Sequence, residues 1–274
     1  IINMENDIKT ASAFANSWNN LRHGSIYTYD QFVDWFAPIN KGDVDGKTIL
    51  ELGCGNGSFI LHLVNWQPKK IVGVDLGDSV ISAKHNLSAL NIDNWEIIQS
   101  DILNFISNGF DIVYCIGVLH HMTNPQKGFE AVLKNTKSGG RFHCWVYAKE
   151  GNGIIIWVVD PIRKIVSKFP WWITKYMIAT PLVIPYFFHA KILKFINKYY
   201  ALKFLPLFQY SLWIAERNFY FFRHVAFDQL VTPQTTYICK ENIIDWLTDE
   251  RIEPSSIYIT MRNGNSWKFG GILK

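Results

Sequence analysis

Closely spaced cysteines are missing from this chain. The four cysteines stand at positions 54, 115, 144 and 239, with no Cys-x-x-Cys pair among them. Neither a structural zinc site nor a disulfide framework is therefore expected, and the compartment reads as reducing. Cys115 and Cys144 lie inside apolar runs, where a thiol packs as a small hydrophobe. Charge is sparse too: 18% of residues are charged against 49% apolar, which excludes wholesale disorder. The first eighteen residues lack an apolar signal-peptide core, which argues against secretion and for a cytoplasmic protein. Long hydrophobic runs are also lacking. The most apolar piece, Tyr176 to Ala190, is too short to cross a bilayer and holds two prolines, so no transmembrane helix is expected.

What is present is unevenly placed. The net charge of +4 is mild enough that no nucleic-acid partner is expected. Residues 151–235, however, hold ten Lys or Arg against three acidic residues, and 20 of the 42 aromatics. This points to two differently constituted parts. The 274 residues suffice for one elaborated α/β domain or a core with a small cap.

Residues 1–46 read as a helical lead-in or lid, with Phe14, Trp18, Leu21, Phe32, Trp35 and Phe36 spaced for one apolar face. From Lys47 short β-rich runs alternate with helical ones. Strands are expected at Thr48–Leu52, Lys70–Asp75, Trp95–Gln99, Phe110–Ile116 and Arg141–Tyr147. Helices are expected from Ser58, over Asp78–Leu90, and from Asn124-Pro125, where Asn caps and Pro fits the first turn. Five apolar strands separated by helices imply a parallel sheet covered on both faces. Prolines 161, 170, 181, 185 and 206 should punctuate residues 151–235 into short helices. A helix over Glu241–Asp249 then leads to a hairpin of Ser256–Met261 and Trp267–Leu273, turned by Arg262-Asn263-Gly264-Asn265. Arg262 and Asn263 are read as shaping that turn.

The chemistry concentrates at strand ends. Glu51-Leu52-Gly53-Cys54-Gly55-Asn56-Gly57 joins the first strand to the first helix. Glycines there allow a tight turn and close approach of a ligand, and the helix start offers free amides. A dinucleotide fingerprint would need a glycine at position 58, where Ser58 stands. A G-x-G-x-G loop behind a carboxylate instead suits a cationic ligand, which Glu51 can face. Asp75 ends the second strand, placed to accept from both hydroxyls of a ribose. Asp101 follows the third, placed to accept from an adenine amino group with Ile102 against the ring.

These segments resemble the Rossmann-like (class I) S-adenosylmethionine-dependent methyltransferase superfamily. ELGCGNG is similar to its first motif, VGVD to its second, SDI to its third, FDIVYCIGVLHH to its fourth, and GGRFHCWVY to its fifth strand. The resemblance covers residues 47–150 and the closing hairpin. It implies an α/β fold with a seven-stranded, mostly parallel sheet whose last strand is antiparallel. Helices lie on both faces, and a helical cap is inserted after strand five. Residues 47–150 and 236–274 would form the core and 151–235 the substrate cap. S-adenosylmethionine would be the cofactor and S-adenosylhomocysteine the product. Glu51, Gly53, Cys54, Gly55, Gly57, Asp75, Leu76, Asp101 and Ile102 would bind the cofactor, with Ile116 lining its pocket.

Methyl transfer is an in-line displacement in which alignment does most of the work. A hydroxyl acceptor gains from a general base, and His120 and His121, just after the fourth strand, are the candidates. Tyr27, Tyr29 and Trp18 are core or lid residues. Nothing resembles the Asn/Asp-Pro-Pro-aromatic run of nucleobase amino methylation or the Pro-Cys of cytosine carbon methylation. The expected activity is O-methylation of a small, amphipathic or lipid-linked molecule. Rivals are N- or C-methylation, a nicotinamide oxidoreductase, and a cofactor-binding protein without turnover. The basic, aromatic cap also allows peripheral contact with the inner face of an anionic membrane.

Overall fold

A computed structural model describes residues 2–19, 24–196 and 200–274. Leu21 of the expected apolar face lies outside the described residues. The lead-in is not one helix but three: α1 (Ile2–Asn19), α2 (Tyr29–Phe36) and α3 (Lys41–Val44). Thr28 caps α2 in a reciprocal box with Gln31, each side chain taking the other's backbone N–H. Phe32, Trp35 and Phe36 are buried against the sheet, whereas Phe14 and Trp18 face a cavity.

The core then alternates. In chain order come β1 (Thr48–Leu52), α4 (Ile60–Leu63), β2 (Lys70–Asp75), α5 (Ser79–Ser88), β3 (Trp95–Gln99), β4 (Phe110–Ile116), α6 (Pro125–Asn135) and β5 (Thr136–Tyr147). Four strands keep their expected bounds; β5 starts five residues early, because Thr136 pairs with Phe110. The chain leaves β5 for α7 (Asp160–Val166), α8 (Thr180–Ile196), α9 (Phe208–Ile214) and α10 (Phe219–Val231). It returns through α11 (Lys240–Trp246) to β6 (Tyr258–Arg262) and β7 (Ser266–Ile272).

The seven strands lie in the order β3-β2-β1-β4-β5-β7-β6. Parallel pairing joins the first five, and β7 runs antiparallel to both neighbours. This is the mixed sheet of a Rossmann-like methyltransferase fold. Helices bury both faces: Phe129, Val132 and Leu133 of α6 on one, Phe36, Ile60 and Val80 on the other. The carboxyl ends of β1 to β5 therefore point to one edge, where ligands bind in open α/β sheets.

The prolines do not break residues 151–235 as expected. Two π-helical turns, Ile155–Val159 and Ile173–Ala179, lead directly into α7 and α8. Pro181 and Pro185 thus sit inside one helical run, Ile173–Ile196. The wider π turn loosens the hydrogen-bond ladder before Pro181, and the Thr180 hydroxyl donates to the Lys175 carbonyl at 2.8 Å. By length and composition this run could cross a membrane. One side of it, however, packs on α9 and α10 through Val183 and Ala190, and Leu193 on that side is buried too.

Candidate active site

The loop after β1 is tied to the end of β2. Gly53 and Cys54 N–H both donate to the Val74 carbonyl, at 2.7 and 3.0 Å. Gly53 has φ +81°, and a Cβ there would fall 2.2 Å from Val118. Only glycine satisfies both the left-handed backbone and that approach. The helix after the loop begins at Ile60, two residues later than expected.

Asp75, the last residue of β2, braces this loop. Its Oδ2 accepts from Gly55 N at 2.9 Å, and its Oδ1 from Gly77 N at 2.9 Å and the Ser79 hydroxyl at 3.0 Å. Three of the carboxylate's roughly four acceptor positions are thus used. Holding both hydroxyls of a ribose requires a protein donor to yield, and the rotatable Ser79 hydroxyl is the readiest. Burial pushes the Asp75 carboxyl up, against the pull of those donors. Asp101 uses only Oδ1, which accepts from Leu103 N at 2.9 Å.

Glu51 is fully buried, and its Oε2 accepts from the Tyr114 hydroxyl at 2.9 Å. Burial raises its carboxyl well above the usual range; the Tyr114 hydrogen bond opposes this. A desolvated carboxylate without a cation partner is costly, and an incoming cation would relieve it.

These strand ends open into one cavity of about 290 Å³. Nine of the ten residues expected to bind cofactor line it. Gly57 does not: it turns the chain at φ +76° and packs on Ala83 of α5. Trp18 and Tyr27 line the cavity, and the Trp18 ring lies over Gly55. Tyr29 turns away, its hydroxyl accepting from Trp66 Nε1 at 2.9 Å.

The other end of the cavity is aromatic. Trp35 packs edge-on against Tyr27, Trp145 and Trp213, with centroids 4.8, 6.1 and 6.0 Å away. Arg262 does not merely shape the hairpin. Its guanidinium lies 4.8 Å from the Trp35 ring and 4.9 Å from Trp213, is paired with Asp34, and borders the cavity.

His120 and His121 both reach the cavity wall, with rings 4.2 Å apart. His120 is fully buried, and neither ring nitrogen has a hydrogen-bond partner. His121 Nδ1 lies 3.1 Å from the Gln234 carbonyl, which can only accept. The Thr235 hydroxyl lies 3.0 Å from the same nitrogen and can either accept from it or donate to it. Burial pushes His121 down to about 4 and His120 well below its ordinary value.

A second His pair escaped the sequence reading. His224 and Asp228 lie one turn apart on α10 and both line the cavity. His224 Nε2 is 3.1 Å from Asp228 Oδ2, an ion-pair approach rather than an aligned hydrogen bond. Asp228 Oδ1 accepts from the Ser17 hydroxyl at 3.1 Å. The i, i+4 spacing of His and Asp on an apolar helix was the available signal.

The cavity's donor set suits S-adenosylmethionine. Acidic groups stand at three strand ends, and a nicotinamide dinucleotide's pyrophosphate would meet the like charge of Glu51 and Asp75 there. Comparison with known proteins agrees. The profile of a family described as Methyltransferase domain matches residues 43–151. Residues 43–151 thus carry a methyltransferase domain of the S-adenosylmethionine-dependent kind that the sequence motifs resemble. Curated proteins similar to it include the tRNA U34 carboxymethyltransferases of Campylobacter curvus and Helicobacter pylori (strain P12). The first is 30% identical over 141 residues, 47% of this chain and 46% of that protein. The second is 26% identical over 117 residues, 41% and 45%. The match thus spans about half the length of these relatives. A magnesium protoporphyrin IX methyltransferase from Synechocystis PCC 6803, solved with S-adenosylhomocysteine bound, shares the fold at TM-score 0.51. It is 14% identical, and the match covers 90% of this chain and 81% of that one. One expectation is corrected here. Mild net charge was read as excluding nucleic acid, yet the methyltransferase domain's relatives are named for a tRNA. Net charge reports summed electrostatics and is blind to what a pocket admits.

Proposed function

We propose that this chain transfers a methyl group to a hydroxyl of an apolar or amphipathic acceptor, which residues 151–235 select as a cap. The observation that carries this reading is the single cavity that joins the carboxylate-lined strand ends to an aromatic chamber built partly by that segment. Bound S-adenosylmethionine supplies a methyl group activated on a sulfonium. Glu51 would hold its cationic methionine end, Asp75 its ribose and Asp101 its adenine, with Leu76, Ile102 and Ile116 against its apolar faces. Trp35, Trp145 and Trp213 exclude water and align the acceptor oxygen for in-line attack. A hydroxyl that takes up the methyl group must also lose its proton, which a base in the cavity would accept.

His224 suits that role best, because Asp228 can orient its ring and balance the imidazolium. Burial holds His121 down to about 4, which disfavours its taking up the proton, and the buried His120 ring lies 4.2 Å from it. His224→Ala is expected to lower turnover by ~10²–10⁴-fold, with product affinity unchanged in calorimetry; His121→Ala should cost less than tenfold. Equal losses in both variants would move the base to the His120–His121 pair.

The printed names of the relatives favour a second reading, a tRNA nucleoside as acceptor. Incubation with methyl-labelled S-adenosylmethionine separates the two when hydroxylated lipids, small amines and bulk tRNA are offered in parallel. Label on lipid oxygen supports the first reading. Label on amines alone removes the oxygen assignment, and label on tRNA establishes the second.

A further inference from the structure

We infer that the outer face of residues 154–196 docks peripherally on an anionic lipid surface. Among the described residues, fifteen of the 24 exposed large apolar side chains lie between Ile154 and Phe204, under a fifth of the chain. They are ordered. Met177, Ile184, Phe188, Ile192 and Phe195 recur at helical spacing along the run Ile173–Ile196, on the side opposite the buried Val183, Ala190 and Leu193. Trp157, Val158, Ile162 and Ile165 repeat the arrangement on the preceding helical run. Both runs pack on α10, so their apolar stripes face away from it. Trp157 and Phe195 are 81% and 85% exposed, a large cost in water without a covering partner.

Charge identifies the partner. Residues 151–204 hold eight Lys or Arg against one acidic residue, Asp160. Lys164, Lys168 and Lys194 are exposed beside the stripes. A second copy would set this excess against itself. Single-stranded RNA is met by aromatic stacking platforms between cations, whereas eight of these fifteen side chains are aliphatic and offer no ring face to a base. Aliphatic and aromatic residues rimmed by lysine fit the headgroup region of an acidic bilayer. A spanning helix is excluded by the packed side of the run Ile173–Ile196, with Lys191 Nζ anchored to the Ala215 and Arg217 carbonyls at 2.7 and 3.1 Å. The surface is continuous with the cavity, because Ile155 lines it beside the exposed Ile154 and Trp157.

Vesicle flotation of the whole chain tests this separately from any acceptor. Binding is expected to vesicles containing phosphatidylglycerol. It should fall at least tenfold in pure phosphatidylcholine or at 0.5 M salt. Trp157→Glu with Phe195→Glu should lower binding at least tenfold while product affinity and thermal midpoint hold. Lys164→Glu with Lys168→Glu should remove the preference for anionic lipid. The inference is overturned if the chain ignores both lipids. It is equally overturned if the apolar variants bind vesicles normally but abolish a concentration-dependent dimer or tRNA retention.

Discussion

Two buried ionisable side chains give the fold opposite responses to pH. Glu51 has its carboxyl raised by burial, so the stability tied to its protonated form is present at low pH and lost as pH rises through the raised value. Glu51→Gln keeps an acceptor for Tyr114 and removes that loss. Its thermal midpoint should gain on the wild type between pH 5 and pH 8, while S-adenosylmethionine affinity in calorimetry falls at least tenfold. A variant that gains no stability at high pH would show Glu51 charged and satisfied without ligand. His143 behaves inversely. Its ring bridges the Trp35 carbonyl at 2.9 Å and the Tyr258 hydroxyl at 2.6 Å, and burial pushes it down to about 4. The unfolded chain takes up a proton near 6.5 that the fold refuses, so this contribution is full above that pH and lost as pH falls toward 4. Comparing His143→Gln with the wild type between pH 7 and pH 4 should show the variant's stability falling less steeply.

The loop between β1 and α4 depends on one missing Cβ. Gly53→Ala places a methyl group against Val118 and an alanine at φ +81°. The backbone cost is ~1–2 kcal/mol and the overpacking ~1–3 kcal/mol. Chemical denaturation should therefore show a loss of about 2–5 kcal/mol. Adding Val118→Ala should recover the packing part only; full recovery would mean that the backbone there is unstrained. Sequence legibility follows the same physics. The core strands were legible because parallel strands buried on both faces must be near-continuously apolar, as IVGV of β2 and IVYCI of β4 are. The π turns and the long run Ile173–Ile196 were not, because proline normally ends a helix and only local loosening of the ladder overrides it. The cofactor side of the cavity was readable as a contiguous loop and two strand ends. The chamber side was not: Trp35, the His224–Asp228 pair and Arg262 come from three distant segments that only the fold brings together.

The molecule as a whole couples one sheet edge to one inserted helical layer. α1 and α10 meet across the cavity, where Ser17 holds Asp228 and the Trp18 ring packs edge-on against His224 at 5.6 Å. Closing the site is therefore a matter of packing these helices over the loop, and ligand binding should stabilise all three together. Everything proposed for the acceptor rests on the cofactor half. Calorimetric titration with S-adenosylhomocysteine, against Asp75→Ala and against NAD as a control ligand, tests it most directly. Saturable binding by the wild type, at least a hundredfold weakening in Asp75→Ala, and no heat with NAD are the predicted results. A folded wild type that takes up NAD and ignores S-adenosylhomocysteine would contradict the account at its root.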